Sequence, residues 1–264
     1  MKTKIFIKIL FFSCLYIAVP AEGYSQEDLL CAHIAENMDK SPSLTAFSKT
    51  GVGFHVRNDF GMKEMMFAEV VSVWHRKKNF LMMSVNHYGY VNYGEMQLSV
   101  GYGRNFGDHF AMTARIFYLM AHAREYPSSH SLCVDVAVAY KVTPKLWLDA
   151  TVYNPFMLHY GLLGQNVIPL RFTVGCTYMP LQKFLVSLTT SKLFPGEWDV
   201  DGRFMIQPIA PLLLAVNCSN ARLGVYIGLT YKKFLISVEA AWHYRISVSP
   251  QMGGFYFPER RVGA

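Results

Sequence analysis

The chain has 264 residues, of which 52% are hydrophobic and only 16% are charged. This length allows one barrel of ordinary size or up to two small domains, and soluble domains usually carry about a quarter charged residues. The formal charge of +7 includes Lys2, Lys4 and Lys8, without which 22 basic residues face 18 acidic ones. A dispersed net charge of +4 (22 − 18), with no basic stretch interleaved with aromatic residues, predicts that nucleic acid is not a partner.

Aromatic residues are abundant, with 16 Tyr, 19 Phe and 4 Trp. A lipid-facing surface with aromatic girdles at both membrane interfaces would account for this composition. A soluble β-sandwich with a large core would account for it as well. Composition alone therefore leaves both architectures open.

The first 23 residues are typical of a signal peptide. Lys2 and Lys4 precede an apolar stretch from Ile5 to Val19, and the small residues Ala21 and Gly23 follow it at the expected cleavage position. An anchoring helix is the alternative, but the apolar stretch is shorter than the ~20 residues of a typical span. We therefore predict a signal peptide over residues 1–23.

Residues 24–48 form an N-terminal segment with a different pattern. Leu29, Leu30, Ile34 and Met38 recur at helical spacing, which predicts a short helix that ends before Pro42. The apolar face of this helix could pack inside a barrel as a plug. A tail left in the periplasm is the alternative.

From Gly51 onward the apolar period is two. Between Ile168 and Tyr178, for example, apolar residues alternate with Arg171, Thr173 and other polar or small residues. Successive side chains of a strand point to opposite faces. The breaks divide residues 49–257 into about fourteen strands of roughly 8–12 residues, long enough to cross a bilayer. The predicted fold is a single all-β transmembrane antiparallel barrel, followed by a C-terminal tail over residues 258–264. Helical spans are excluded because the uncharged stretches are interrupted by Pro, Gly and polar residues.

The predicted turns alternate in length. Tight turns are expected at residues 77–79, 106–108, 142–144, 179–181 and 232–233, and longer connections at 57–64, 123–129 and 156–167. Transmembrane barrels combine short periplasmic turns with longer external loops. The pattern therefore predicts that the tight turns face the periplasm and the longer connections face the outside.

The polar residues of the alternating pattern are the candidates for lining the barrel lumen. Seven ionisable side chains fall on the predicted inward face: Glu69, Arg115, Asp135, Asp149, Arg171, Glu239 and His243. Both signs of charge are present, so the side chains can neutralise one another, whereas lone charges in a narrow lumen would cost several kcal/mol each. A structural salt-bridge network and a polar path for a solute are the two interpretations.

The sequence contains no complete catalytic or metal-binding motif. His130 and Ser131 are adjacent, so on a strand they face opposite sides and are badly placed to share a proton. Cys31, Cys133, Cys176 and Cys218 are widely spaced, without the Cys/His clusters of metal sites. We predict no enzymatic activity, no cofactor and no metal site.

The order of segments resembles the PorV/PorQ-type outer-membrane barrels, which belong to one broad group with the long-chain fatty-acid transporter FadL. The similar segments are 80–93 (FLMMSVNHYGYVNY), 98–106 (LSVGYGRNF), the Asn154-Pro155 pair and 240–257 (AAWHYRISVSPQMGGFYF). Two features depart from the family. Ser41-Pro42-Ser43 stands where relatives often have Asn-Pro-Ala, and the chain continues beyond Phe257.

The resemblance implies fourteen strands, an outer-membrane location and no catalysis. Members of the group either take up hydrophobic molecules or serve as accessory parts of a secretion machine. Two functions are therefore expected for this chain. One is a channel or binding protein for a hydrophobic small molecule, and the other is an envelope or type IX secretion component that binds a protein partner. In both cases the barrel would sit in outer-membrane lipid.

Overall fold

The computed structural model describes residues 26–160, 166–244 and 247–258. The predicted signal peptide (residues 1–23) and all but the first residue of the predicted C-terminal tail (258–264) lie outside the described residues. Within the described ranges no helix combines the length and apolar character needed to cross a membrane. The elements are α1 (Gln26–Asn37), a 3-10 helix (Pro42–Phe47), β1 (Gly51–Asn58), a 3-10 turn (Asp59–Gly61), β2 (Met66–Arg76), β3 (Asn79–Tyr90), β4 (Tyr93–Phe106), β5 (Phe110–Ala123), β6 (Tyr126–Thr143), β7 (Leu146–Tyr153), β8 (His159–Tyr160), β9 (Asn166–Val167), β10 (Leu170–Leu181), β11 (Phe184–Phe194), β12 (Trp198–Ile209), β13 (Leu212–Ser219), β14 (Arg222–Tyr231), β15 (Phe234–His243) and β16 (Val248–Tyr256).

Fourteen strands form a closed antiparallel barrel. Each of β1–β7 and β10–β16 pairs with its neighbour in the chain, β7 pairs with β10, and β1 closes the sheet against β16. The short strands β8 and β9 form a separate hairpin in the connection between β7 and β10. The predicted all-β barrel of about fourteen strands is confirmed.

The alternation of side chains follows the predicted phase. In β10, Thr173 is 2% exposed and faces inward, whereas its neighbour Val174 is 43% exposed on the outer surface. In β14, Tyr226 is buried while Val225 and Ile227 are exposed. Because the period of a strand is two, this phase is set by sequence before the barrel closes. The outer surface is consequently an apolar belt.

One end of the barrel, here called the tight-turn end, has short turns such as Lys77-Lys78 and Lys232-Lys233. The opposite end, here called the open end, carries the longer connections 59–65 and 154–169, but also the two-residue connections 91–92, 124–125 and 220–221. The predicted sorting of short and long connections to opposite ends therefore holds only in part. The predicted long connection over residues 123–129 is wrong, because Ala123 pairs with Tyr126 and β6 begins there. Backbone hydrogen bonds form irrespective of side-chain polarity. The polar stretch at 123–129 that suggested a loop therefore continues the hairpin of β5 and β6.

The segment from Gln26 to Phe47 lies inside the barrel, at the tight-turn end, and is called the plug below. Leu29, Leu30 and Ile34 of α1 and Leu44 are buried against inward-facing side chains of the wall. Ala46 packs on the other side of the lumen, against Val73, Phe80, Met82 and Ala111. The plug therefore fills the half of the lumen nearest the tight turns.

Candidate functional site

The contact between α1 and the wall is apolar at its centre. Inward-facing residues of β7 and β10–β16 form this wall, among them Trp147, Met179, Leu185, Leu213 and Phe255. Burying an aliphatic side chain contributes roughly 1.5–3 kcal/mol. Three or four such residues on the plug account for its non-covalent docking against the wall.

Charged contacts surround this apolar centre. Glu36 accepts a hydrogen bond from the Arg203 guanidinium at 2.5 Å, and both side chains are less than 10% exposed. The Arg203 guanidinium also lies 4.9 Å from the Tyr226 ring. Lys40 forms a salt bridge with Asp201, two residues earlier on β12. These pairs join the plug to β12, 167 and 161 residues further along the chain.

A second set of polar contacts joins the plug to β5–β7. The Ser41 hydroxyl donates to the Asp149 carboxylate at 2.7 Å. Arg115 donates to Asp135 through Nε, at 3.1 and 3.0 Å, and through Nη2 at 2.5 Å. Arg115 also donates to the carbonyl oxygen of Asp39 at 3.1 Å. The Arg115–Asp135 pair thus supports the end of the plug from the wall.

His33 is the one histidine of the plug and is buried. Burial lowers the pKa of His33 to about 3, and the positive charge of Arg203 acts in the same direction. The imidazole is consequently neutral at physiological pH. It lies 3.4 Å from the Thr177 hydroxyl and accepts or donates according to its tautomer.

The other half of the lumen, toward the open end, holds a cavity of about 710 Å³. Its floor includes Asp39 and Lys40 of the plug together with Arg115. Apolar side chains from β2, β5, β7 and the start of β10 contribute much of its wall: Phe67, Phe117, Leu119, Tyr153, Ile168 and Pro169. The cavity is thus a mixed apolar and charged chamber above the plug.

The end of β7 shapes one side of this cavity. Pro155 has no N–H to donate, and Asn154 adopts a positive φ of 52°, so the strand stops at Tyr153. The Asn154 amide donates to the carbonyl oxygen of Ile168 at 2.6 Å and accepts from the Leu158 N–H at 3.0 Å. These bonds return the chain to β10 and bring Tyr153, Ile168 and the first residues of β10 to the cavity.

The seven predicted lumen residues lie on the inward face but not in one cluster. Arg115 and Asp135 pair with each other, and Asp149 bonds the plug. Glu69 and Arg171 are half-buried, and Glu239 is buried with a 3.4 Å contact to Gln251. His243 lies near the open end, bonded to Ser249 at 3.0 Å. The set therefore divides between plug contacts, the cavity and the open end.

Several functional residues were not predicted. Asp201 and Arg203 alternate with Val200, Gly202 and Phe204, so their phase was available in the sequence. Glu36 and Ser41 of the plug carry no such signal, since a helix does not reveal which strand it faces. Arg57 and Asp59, bonded to each other at 2.7 Å, lie where β1 ends, in a stretch for which the sequence predicts a loop.

The remaining reactive groups do not assemble into a catalytic or metal site in the described part of the chain. His130 is exposed on the outside and bonds the Tyr118 hydroxyl at 2.7 Å, whereas Ser131 is on the inward face. No three His, Cys, Asp or Glu residues among those described are placed to hold a metal ion. Cys31, Cys133, Cys176 and Cys218 are thiols rather than disulfides.

Solved structures with the same fold are channels. The CymD monoaromatic hydrocarbon channel superposes with a TM-score of 0.63 at 8% identity, covering 90% of this chain and 98% of CymD. The Pseudomonas putida toluene transporter TodX superposes with a TM-score of 0.61 at 7% identity, covering 84% of this chain and 93% of TodX. At such low identity these likenesses show the barrel fold. No protein-family model and no curated protein sequence matches this chain.

Proposed function

We propose that this protein is an outer-membrane channel or binding protein for a hydrophobic small molecule. The observation that carries the proposal is the cavity of about 710 Å³, lined by apolar and aromatic side chains together with charged ones, above a plug docked in the same barrel. Ligand pockets commonly enclose about 300–1,000 Å³ and are lined mainly by apolar and aromatic groups. The cavity has this size, and its apolar and aromatic lining, which includes Phe67, Phe117, Leu119 and Tyr153, is interspersed with seven charged residues.

The proposed location follows from the outer surface. A closed barrel satisfies every backbone hydrogen bond within the sheet, and an apolar outer belt is stable in lipid. Exposed Ile116, Val174 and Ile227 belong to such a belt. CymD and TodX, which share the fold, transport monoaromatic hydrocarbons and toluene, and we extend that solute class to this chain. The absence of a catalytic role is part of the same proposal.

Binding requires only the cavity, whereas passage also requires the plug to move. The plug fills the tight-turn half of the lumen, so a solute in the cavity meets Asp39 and Lys40. A binding protein would keep the plug docked throughout its cycle. A channel would release it.

Leu119→Trp is expected to reduce toluene uptake into proteoliposomes by at least about fivefold, because the larger side chain occupies the cavity lined by Leu119. The matched control is Leu188→Trp, since Leu188 lies on the outer surface, 52% exposed, where an aromatic side chain meets lipid. Uptake by this control should equal that of the original protein. Equal uptake by both variants, or no uptake by the unaltered barrel, would argue against the cavity as the solute site.

A second candidate function is favoured by the hairpin between β3 and β4. Its tip carries Tyr90, Val91 and Tyr93 exposed, with Val91 88% exposed, and it extends at the open end. Such a tip suits a protein partner better than lipid, as expected for the type IX secretion component that the PorV/PorQ resemblance implies. We predict that a photo-crosslinker at Val91 captures one defined envelope protein in cells, while a crosslinker at outward-facing Val70 captures lipid. Lipid adducts at both positions would refute this candidate.

A further inference from the structure

The cavity contains three arginines, each stacked near an aromatic ring. The Arg57 guanidinium lies 4.9 Å from the Phe67 ring centre, Arg115 lies 4.9 Å from Phe117, and Arg171 lies 5.2 Å from Tyr153. All six residues line the same chamber. The aromatic faces hold the guanidinium groups in fixed positions at the wall.

Two of these arginines are neutralised within the protein. Arg57 bonds Asp59, and Arg115 bonds Asp135. Among the described residues, no carboxylate lies within salt-bridge distance of Arg171. Arg171 is half-buried and always charged, so among the three arginines it is the one without a bonded carboxylate in the described part of the chain.

The strand register explains why Arg171 has no salt-bridge partner among the described residues. Arg115, Asp135, Tyr153 and Arg171 lie directly opposite one another on β5, β6, β7 and β10. Directly opposite residues are neighbours, whereas a residue one strand further is about 10 Å away. Asp135 therefore pairs with Arg115, and the Tyr153 ring stands between Asp135 and Arg171. The next residue in the row is Leu193 on β11, so the row supplies no second carboxylate.

We propose that Arg171 binds the carboxylate of a small aromatic acid whose ring lies against Tyr153 and Phe117. This assignment rests on the proposed function and adds aromatic monocarboxylates to the neutral aromatic hydrocarbons of its solute class. A guanidinium donates two parallel hydrogen bonds to one carboxylate. No covalent step is involved.

The surrounding side chains select the rest of the ligand. The Phe117 and Tyr153 rings meet edge to face with centres 5.3 Å apart, and Ile168 and Pro169 extend the apolar wall beside them. A third ring added to such a pair gains contact in offset or edge-to-face geometry. An aromatic body therefore fits better than a sugar or another highly hydrated group.

The charge balance favours a single negative charge on the ligand. Asp39 and Glu95 also line the cavity, and their carboxylates would repel a second anionic group. Phosphate esters and dicarboxylates are accordingly disfavoured.

The test is equilibrium binding of benzoate to the full-length barrel in detergent, compared with the uncharged analogue benzamide. Benzoate should bind about 10- to 100-fold more tightly, the range expected for one charge-assisted pair. Arg171→Gln should remove this preference while leaving benzamide affinity within about twofold. Arg104→Gln, an exposed charge change at the tight-turn end, should leave both affinities unchanged.

Arg171→Lys is the control for a folding defect, because it keeps the charge but cannot donate two parallel hydrogen bonds to one carboxylate. A preference for benzoate over benzamide that lies between the preferences of the original protein and of Arg171→Gln supports the assignment. Equal affinity for benzoate and benzamide, or a preference retained in a folded Arg171→Gln variant, overturns it. If the assignment of Arg171 is wrong but toluene uptake still depends on Leu119, the proposed function is unaffected. Failure of toluene uptake in the unaltered barrel would instead refute the proposed function.

Discussion

Val174→Arg is expected to reduce insertion of the folded barrel into lipid vesicles severely. Val174 lies on the outer surface near the middle of the 12-residue strand β10, where the arginine would meet hydrocarbon. A charged side chain on the lipid face costs about 2–4 kcal/mol near the bilayer midplane. The measurement is the fraction of protein that migrates as a compact, heat-modifiable barrel after mixing with vesicles.

Gln97→Arg provides the control for this experiment. Gln97 is half-buried, faces the lumen and lines the cavity, so the added charge can remain hydrated. The nearer inward residue, Thr173, is unsuitable because it is buried and bonded to Ser191 at 3.0 Å. If Val174→Arg and Gln97→Arg assembled equally well, the assigned inner and outer faces would be wrong.

Glu36→Gln is expected to weaken the docking of the plug. The substitution leaves Arg203 buried without its carboxylate, and removing one partner of a buried ion pair costs about 3–5 kcal/mol. That cost exceeds the contribution of one buried leucine of α1, so the docked state loses much of its advantage. Cys31, buried on α1, should then react with a maleimide at least tenfold faster in the folded barrel.

Two further variants make the result specific. Glu197→Gln changes an exposed charge between β11 and β12 and should leave the Cys31 rate unchanged. Adding Arg203→Met to Glu36→Gln removes the unpaired cation and should slow Cys31 labelling again. A Cys31 rate that is the same in Glu36→Gln and the unaltered protein would mean that the ion pair does not hold the plug.

Much of the barrel was predictable because its signals are local. The predicted phase was correct within β10, from Phe172 to Tyr178, and the tight turns at Lys77-Lys78 and Lys232-Lys233 were correct as well. Ile168 was predicted to face outward, but it precedes β10 and lines the cavity. The helical spacing of Leu29, Leu30 and Ile34 likewise predicted α1. Its place in the lumen rather than in the periplasm was left open, because spacing indicates an apolar face without indicating its partner.

The candidate site was predictable only in part. Alternation placed Arg171 and Asp135 on one face, but it did not show that Tyr153 separates them, since that depends on the register of β6, β7 and β10. The cavity itself had no signal in the sequence. It exists because Asn154-Pro155 ends β7 early and because the plug occupies only the tight-turn half of the lumen.

By itself, the sequence determined that this protein is a barrel, how many strands it has and which side chains face outward. Those properties depend on residues two apart and on turns a few residues long. Only the tertiary structure decided which luminal charges meet. Glu36 and Arg203 are 167 residues apart in the chain, and Lys40 and Asp201 are 161 apart. Barrel closure and plug docking bring them together, and in the described part of the chain the same closure leaves Arg171 without a bonded carboxylate.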